Sequence, residues 1–119
     1  MQVELLVGKI HGAVVTQCDL RYQGSITVDR DLMDAAGFLL NQRVDIYNIN
    51  NGQRFSTYVI EGKRGSKTIA VNGAAARLCQ EGDKIIVVAY GIFSREEALK
   101  HKPEVLVLND KNEIAKRGH

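Results

Sequence analysis

Apolar and polar residues alternate over short stretches along most of this chain, and such stretches predict β-strands. The alternation is clearest at Arg43 to Ile49, where Val44 and Ile46 fall on one face. Because successive side chains of a strand point to opposite faces of the sheet, this pattern is typical of a sheet that buries one face. Other β-rich stretches are Val3 to Ile10, Val14 to Cys18, Ser25 to Val28, Arg54 to Ile60, Lys67 to Val71, Lys84 to Ala89 and Glu104 to Leu108. The chain is therefore predicted to be mainly β.

Helical signals are few. Asp29 can cap a helix that runs to about Ala36, where Gly37 is a natural stop. The segment Ser94 to Glu97 has the pattern of a capping box, which predicts a short helix from Arg95 to about Lys100. Six or more short strands with so little helix favour a closed β-barrel, in which no sheet edge is left unpaired.

Two local signals complete this outline. Asn51-Gly52 predicts a hairpin turn, because both residues tolerate a positive φ. Gly73 to Arg77 favours a single helical turn. Each borders a segment that carries candidate chemistry.

Length and composition limit the classes of protein to which the chain can belong. The chain has 119 residues, so a single domain covering residues 1–119 is expected. Its 45% hydrophobic and 25% charged residues are ordinary for a globular domain, and only Lys116 to His119 is polar enough to favour disorder. The net charge is +2 and the positive residues are scattered along the chain. This distribution argues against a nucleic-acid partner and is compatible with a small anionic ligand.

Cysteine spacing and hydrophobicity indicate in which cellular compartment the protein is expected. Cys18 and Cys79, the only cysteines, lack metal-binding spacing, so no metal site is predicted and two reduced thiols are expected. No signal-peptide pattern opens the chain, and the longest apolar run, Ile85 to Phe93, is too short to span a bilayer. We therefore expect a cytoplasmic protein with no membrane partner.

The first candidate for chemistry is Gly24-Ser25. A serine hydroxyl can attack the carbonyl that precedes it, and glycine leaves that carbonyl unshielded and accepts the unusual backbone shape that attack requires. A donor must also stabilise the developing oxyanion. Taken alone, the dipeptide is better explained as a tight turn between strands, and a second copy at Gly65-Ser66 carries no suggestion of chemistry.

The second candidate is the segment Arg54 to Tyr58. Arginine binds carboxylates through its two-pronged guanidinium, and tyrosine can donate a proton to a carbanion or enamine. An amphipathic hairpin strand with Phe55 and Val59 in the core explains the same residues. Strict alternation also puts Arg54 and Tyr58 roughly 13 Å apart. One small substrate can touch both only if the strand is bent or bulged, or if the site lies between subunits.

The third candidate is Asn72-Gly73-Ala74-Ala75-Ala76. Its small residues let a ligand approach the backbone closely, and free N–H groups there could bind a carboxylate or an oxyanion. A simple turn is the alternative. Lys9 and His11 share one strand face; Lys9 is a candidate second carboxylate anchor, and a solvated charge pair at a strand end is the competing explanation.

These elements occur in a fixed order along the chain: Lys9-Ile10-His11, Tyr22-x-Gly24-Ser25, Asn51-Gly52-x-Arg54-Phe55-Ser56-Thr57-Tyr58 and Asn72-Gly73-Ala74-Ala75-Ala76. In order, spacing and length the chain resembles the pyruvoyl-dependent aspartate 1-decarboxylases, from about Lys9 to Leu108. The combination is specific, although no single element is. Gly12 departs from the family pattern, in which a larger, often basic residue follows the histidine.

The resemblance implies a six-stranded double-psi β-barrel with a few short helices, assembled as a homotetramer with active sites at subunit interfaces. It also implies a proenzyme that cleaves itself between Gly24 and Ser25 into chains 1–24 and 25–119. Ser25 would become a covalent pyruvoyl group, the Schiff-base site for L-aspartate, with no pyridoxal phosphate and no metal. The products would be CO2 and β-alanine, which feeds pantothenate biosynthesis.

The same resemblance assigns roles to side chains. Tyr58 would donate the proton after CO2 leaves, and Thr57 would support the oxyanion during activation. Substrate would be bound by Thr57, Gly73, Ala74, Ala75, Arg54 and Lys9, with Asn72, Tyr22 and His11 in support. Decarboxylation leaves an electron pair on the α-carbon, and no ordinary side chain can accept it. A carbonyl formed from a residue of the chain itself would accept that pair.

Two other interpretations stay open at this point. One is a non-catalytic β-barrel that serves as a binding or assembly module. The other is a small β-rich nucleic-acid binder, which the scattered charge disfavours. Cleavage at Gly24 would separate the enzyme from the binding module.

Overall fold

A computed structural model describes residues 1–119, and nine strands dominate it. The strands are β1 (Gln2–Val14), β2 (Gln17–Asp19), β3 (Ile26–Asp29), β4 (Arg43–Asn48), β5 (Arg54–Gly62), β6 (Ile69–Asn72), β7 (Lys84–Ser94), β8 (Glu104–Leu108) and β9 (Ile114–Arg117). Two α-helices, α1 (Arg30–Ala36) and α2 (Arg95–Lys100), and one 3-10 helix (Gly73–Leu78) connect them. None of these helices has the length and hydrophobicity that crossing a bilayer requires.

The strands form one sheet in the order β2-β6-β3-β5-β4-β7-β1-β8-β9. Most neighbouring pairs are antiparallel, and the pairs β1–β8, β2–β6 and β3–β5 are parallel. Only Val15 and Thr16 separate β1 from β2, although β2 stands at one end of the order and β1 near the other. Val15 donates to the carbonyl of Asp83 before β7, and Thr16 donates to the carbonyl of Ile69 in β6. The sheet therefore curls back on itself, as a β-barrel does.

The inner face of this curled sheet holds the core. Its largest fully buried side chains include Phe38, Ile10, Ile26, Ile46, Ile85 and Leu106. Burying each such side chain contributes about 1.5–3 kcal/mol, and ordering the chain costs free energy of a similar total size. The alternation predicted for β4 is confirmed, since Val44 and Ile46 face the core and Arg43 is exposed.

The predicted helices are confirmed with their caps. The Asp29 carboxylate accepts from the backbone N–H of Asp31, and Gly37 ends α1 in the left-handed region with φ 75°. Ser94 and Glu97 form the reciprocal capping box at the start of α2. The predicted mainly β fold with a few short helices is likewise confirmed.

Strand lengths depart from the sequence-based expectation in three places. β1 continues to Val14, past Gly12, by means of irregularities in its pairing with β7. β7 continues to Ser94 although none of its residues after Ala89 is fully buried. β9 was not predicted, because all four of its residues are exposed and no apolar periodicity marks it. Lys116 and Arg117, placed by composition in a disordered end, belong to β9.

The hairpin between β4 and β5 is confirmed, but its turn is longer than a two-residue loop. Gly52 has φ 77°, whereas Asn51 contributes through its side chain. The Asn51 amide accepts from the backbone N–H of Gln53 and donates to the carbonyl of Leu78 at 3.0 Å. Asn48 donates to the same carbonyl at 3.1 Å. The turn is thereby tied to the end of the Gly73–Leu78 helix.

A buried asparagine in the β8–β9 turn joins three separate segments. The Asn112 side chain accepts from the backbone N–H of Val14 at 2.7 Å and donates to the carbonyls of Val14 at 2.9 Å and Lys67 at 3.0 Å. Its backbone is left-handed, with φ 58°. This side chain replaces a strand partner at the point where β1 ends.

Replacing Asn112 with alanine should lower the free energy of unfolding by about 2–4 kcal/mol, because buried backbone groups of Val14 lose their partners. The measurement is urea denaturation. Glycine tolerates the positive φ of residue 112. The fall in the free energy of unfolding of Asn112→Gly therefore reports the lost hydrogen bonds without the backbone strain that alanine adds. Lys111→Ala, at an exposed neighbour, is the control. An unchanged unfolding free energy in Asn112→Gly would contradict this role.

Candidate active site

Ser25 lies buried in an unusual backbone conformation. Its φ is 85° and that of Gly24 is 61°, so both residues lie in the region that favours glycine. Ser25 is 1% exposed, and its hydroxyl has no hydrogen-bond partner. A left-handed non-glycine residue costs about 1–2 kcal/mol, and an unpaired buried hydroxyl adds to that cost. Strain and an unsatisfied polar group therefore coincide at one residue.

Gly73 packs directly against the backbone of Gly24. A Cβ atom at Gly73 would stand 2.6 Å from the Gly24 amide nitrogen and 2.7 Å from its Cα, so no larger residue fits there. The φ of Gly73 is 65°, which glycine adopts at little cost. The Asn72 N–H donates to the carbonyl of Ser25 at 2.9 Å. The Gly24-Ser25 unit is thus held on one side by residues 72 and 73.

Asn72 is held in place by two strands. It ends β6, which pairs with β3 through Ile26 and Val71. Its side-chain amide donates to the Thr27 hydroxyl at 3.1 Å, and the residue is buried. Asn72 therefore fixes the start of the Gly73–Leu78 helix relative to Ser25.

Strand β5 forms the opposite side of the site. Thr57 faces inward and is half-buried, whereas Tyr58 is 42% exposed. The Tyr58 hydroxyl donates to the carbonyl of Gln23 at 3.4 Å, next to Gly24. Tyr22, which is 53% exposed, lies at the same opening. Both tyrosines border the serine at the surface of the chain.

A cavity of about 250 Å³ joins these elements. It is lined by Gly24, Ser25, Phe55, Ser56, Thr57, Tyr58, Asn72, Ala74, Ala75 and Leu78. A neighbouring hollow includes Tyr22, Ser25 and Tyr58. The structure therefore brings six other predicted site residues together around Gly24-Ser25, and Gly73 lies directly behind them.

Arg54 does not reach this cavity within one chain. Its guanidinium lies over the ring of Tyr47, 3.7 Å from the ring centre, at the hairpin end of β5. The pairing of β5 with β4 is regular from Arg43–Tyr58 to Tyr47–Arg54, without a bulge. The separation of Arg54 from Tyr58 that alternation predicts is therefore present.

Lys9 and His11 lie on β1, which β7 and β4 separate from β5. Cross-strand pairing places His11 beside Ile86, Ile86 beside Tyr47, and Tyr47 beside Arg54. Across three strand spacings, His11 and Arg54 are roughly 14 Å apart. These residues share the outer face, opposite the core. Lys9, His11 and Arg54 therefore form a second group, apart from Ser25.

The environment of His11 favours a neutral ring. Burial, and then the nearby positive charge of Lys9, hold the pKa of His11 below its usual value. Its Nδ1 is buried without a hydrogen-bond partner. A neutral imidazole can both donate and accept a hydrogen bond.

The two cysteine thiols do not line the cavity that contains Ser25. Burial raises the pKa of the Cys79 thiol to about 11, and burial also raises the pKa of Cys18. Both cysteines are free, as predicted. No group of three or more His, Cys, Asp or Glu side chains lies close enough together to hold a metal ion.

Sequence reasoning missed several residues that shape the site. Leu78 lines the cavity, Thr27 anchors Asn72, and Tyr47 holds Arg54. None belongs to a segment with a recognisable chemical pattern, and their roles arise from pairing between distant strands. Only Tyr47 carried a signal, because it lies across the predicted Asn51-Gly52 hairpin turn from Arg54.

Comparison with known proteins bears on this arrangement. The family model described as aspartate decarboxylase matches residues 1–115. A protein of Phenylobacterium zucineum named aspartate 1-decarboxylase is 58% identical over 116 residues, which are 98% of this chain and 98% of the relative. One of Bacillus subtilis with the same name is 56% identical over 110 residues, 92% of this chain and 87% of the relative.

A third relative, from Caldicellulosiruptor saccharolyticus, is 54% identical over 116 residues, 98% of this chain and 91% of its own, and is also named aspartate 1-decarboxylase. Matches of this identity and coverage include both the segment around Ser25 and the segments that surround it. The chain belongs to the aspartate decarboxylase family.

Proposed function

We propose that this protein is a self-processing, pyruvoyl-dependent aspartate 1-decarboxylase. It converts L-aspartate into β-alanine and CO2, and the β-alanine enters pantothenate biosynthesis in the cytoplasm. The chain cleaves itself between Gly24 and Ser25 into residues 1–24 and 25–119. Membership of the aspartate decarboxylase family supports the reaction class.

One observation carries the proposal. The Ser25 hydroxyl is buried, has no partner and belongs to a residue with a positive φ, directly after a glycine in the same region. Backbone strain at a buried nucleophile is raised ground-state energy that bond cleavage can release. By contrast, Ser66 of the second Gly-Ser pair is exposed and has a negative φ.

Cleavage follows from the chemistry of this pair. The Ser25 oxygen attacks the Gly24 carbonyl carbon, and the scissile C–N bond breaks to give an ester and a free amine on Ser25. Loss of the α-hydrogen of Ser25 expels the Gly24 carboxylate and leaves a Cα–Cβ double bond. Water then replaces the nitrogen, releasing ammonia and leaving a carbonyl. Thr57, in the same cavity, is the proposed donor to the first oxyanion.

The residues around Ser25 fit a pyruvoyl group at this position. Ser25, whose hydroxyl oxygen is buried and unpaired, lines a cavity whose other walls include Ala74 and Ala75. A pyruvoyl group supplies a carbonyl that can accept the electron pair left by decarboxylation. Thr57, Gly73, Ala74 and Ala75 are proposed to bind substrate there.

Tyr58 is the proposed proton donor. Its hydroxyl lies 3.4 Å from the carbonyl of Gln23 and borders the cavity that contains Ser25. A phenol at this position can deliver a proton to a carbon bound beside residue 25. Tyr22 and Asn72 are proposed to support the site, Tyr22 at the opening beside Tyr58 and Asn72 through its contacts with Ser25 and Thr27.

The complete site is proposed to form between copies of the chain in a homotetramer. Lys9, His11 and Arg54 share the outer face of the sheet, and β5 is too regular to bring Arg54 to Tyr58. A second copy that presents this face to Ser25 would add two cations to a cavity that is otherwise uncharged. Dicarboxylate binding needs such charges, because each charge-assisted hydrogen bond contributes about 1.5–3 kcal/mol.

The alternative of a non-catalytic binding or assembly barrel is not favoured by the family relationship. It also leaves the strain at Ser25 without a use. The proposal includes no nucleic-acid partner, membrane, metal or pyridoxal phosphate.

The first test removes the nucleophile. Ser25→Ala should fold normally, because Ser25 makes no side-chain hydrogen bond, and it should remain one intact chain without activity. Intact-mass analysis of the wild type should show two fragments divided after Gly24. Ser66→Ala, at the other Gly-Ser pair, should process normally. Cleavage of Ser25→Ala, or a wild type that stays whole, would refute the proposed processing.

A second test addresses the packing behind Gly24. Gly73→Ala should slow processing at least about tenfold, because its Cβ would displace the Gly24 backbone. Gly37→Ala is the matched control: its φ of 75° is similar, and nothing lies within 4 Å of the added atom. The time course of cleavage, followed by mass, should therefore be normal in Gly37→Ala. Equal slowing of cleavage in the two variants would mean that Gly73 matters only for its positive φ and not for its packing against Gly24.

A third test separates processing from turnover. Tyr58→Phe should still be cleaved, because the proposed cleavage does not use its hydroxyl. It should lose roughly 100-fold or more in kcat, the usual contribution of a proton donor. The measurement is CO2 release from L-aspartate by fully processed enzyme. Unchanged kcat would remove Tyr58 from this role.

A further inference from the structure

The Arg54 side chain is held by an aromatic ring and not by an ion pair. Its guanidinium carbon lies 3.7 Å from the centre of the Tyr47 ring. It makes no salt bridge and no side-chain hydrogen bond within the chain, although Asp45 lines the same cavity. Stacking on a ring leaves the N–H groups of a guanidinium free at its edges. The donors that a carboxylate needs are therefore available.

Tyr47 is itself held in position from the neighbouring strand. Its hydroxyl lies 3.1 Å from the hydroxyl of Tyr90 on β7, and either group can donate. Hydrogen bonding to Tyr47, then burial, raises the pKa of Tyr90 to about 12, so this hydroxyl stays protonated at neutral pH. The hydrogen bond between the two hydroxyls fixes the Tyr47 ring, and the protonated Tyr90 adds no negative charge that would compete for the guanidinium. Arg54, Tyr47 and Tyr90 thus form a chain of contacts across β5, β4 and β7.

A free arginine side chain loses conformational freedom about several rotatable bonds when it binds a ligand, and this loss of entropy opposes binding. A guanidinium already stacked on a fixed ring has lost much of that freedom before the ligand arrives.

The stack of Arg54 on Tyr47 also lies next to the cavity that contains Ser25. Phe55 and Ser56 line both the cavity that contains Arg54 and the cavity that contains Ser25, so the two cavities share the wall made by β5.

We propose that Tyr47, fixed by Tyr90, is a positioning residue that presets the Arg54 guanidinium for a substrate carboxylate. The inference rests on the proposed function, in which Arg54 binds a carboxylate of aspartate. Tyr47 acts through Arg54 and takes no part in self-cleavage or in proton transfer. Its removal should therefore change substrate affinity and leave the chemical steps unaltered.

The experiment compares Tyr47→Leu, which removes the ring, with Tyr47→Phe and Tyr90→Phe, which delete the same hydrogen bond from opposite ends. Tyr47→Leu should process normally, keep kcat and raise KM for L-aspartate about two- to fivefold. Tyr47→Phe and Tyr90→Phe should each raise KM by about twofold or less, and the double variant should be no worse than either single one.

A double-mutant cycle with Arg54→Ala distinguishes positioning from a general structural effect. Arg54→Ala alone should raise KM roughly ten- to a hundredfold. Adding Tyr47→Leu to that variant should cause no further rise, because the ring would have no guanidinium to position. Leu99→Ala, an exposed apolar residue on α2, should leave KM unchanged in every background.

The outcomes separate this inference from the proposed function. If the wild type cleaves itself and releases CO2 from aspartate, but Tyr47→Leu leaves KM unchanged, the inference fails alone. It also fails if Tyr47→Leu raises KM equally with and without Arg54, or if Arg54→Ala has no effect on KM. If the wild type neither cleaves nor decarboxylates, the proposed function fails and this inference fails with it.

Discussion

The contact between Gly73 and the backbone of Gly24 is the constraint on which the candidate site depends. Because a side chain at residue 73 would overlap Gly24, the two backbones lie as close as the chain allows. The N–H of Asn72 holds the Ser25 carbonyl on the same side. Together these contacts keep Gly24 and Ser25 in the left-handed region, where serine is strained. The strain at Ser25 is therefore a property of packing.

The barrel provides the rigidity that this strain requires. β3 begins at Ile26, one residue after Ser25, and it pairs with β5 on one side and β6 on the other. The core side chains of these strands are fully buried, so the segment cannot relax without losing packing. A strained residue and an unpaired buried hydroxyl together cost a few kcal/mol, which a core of this size can offset. The same rigidity sets the cavity between β5 and the Gly73–Leu78 helix.

The chain divides its candidate chemistry between two surfaces. The strained serine, the tyrosines at its opening and the small residues of the helix lie around the Ser56 to Tyr58 part of β5, away from its hairpin end. The cations of Lys9 and Arg54 lie on the outer face of the sheet, where Tyr47 holds Arg54. Because β5 is regular, this separation is fixed by the fold. The proposed assembly of several copies would unite the two surfaces, since each copy supplies both.

The sequence by itself determined the β-rich architecture, the two capped helices and the segments that carry candidate chemistry. These features depend on local signals, namely alternation, capping residues and short motifs, which can be read without knowing what lies nearby. Only the tertiary structure decided that Gly73 lies against Gly24, that Thr27 anchors Asn72 and that Tyr47 stacks on Arg54. The exposed strand β9 likewise forms because β8 offers it an edge, not because of its own pattern. Contacts between residues distant in sequence follow from strand order and register, and no local pattern encodes them.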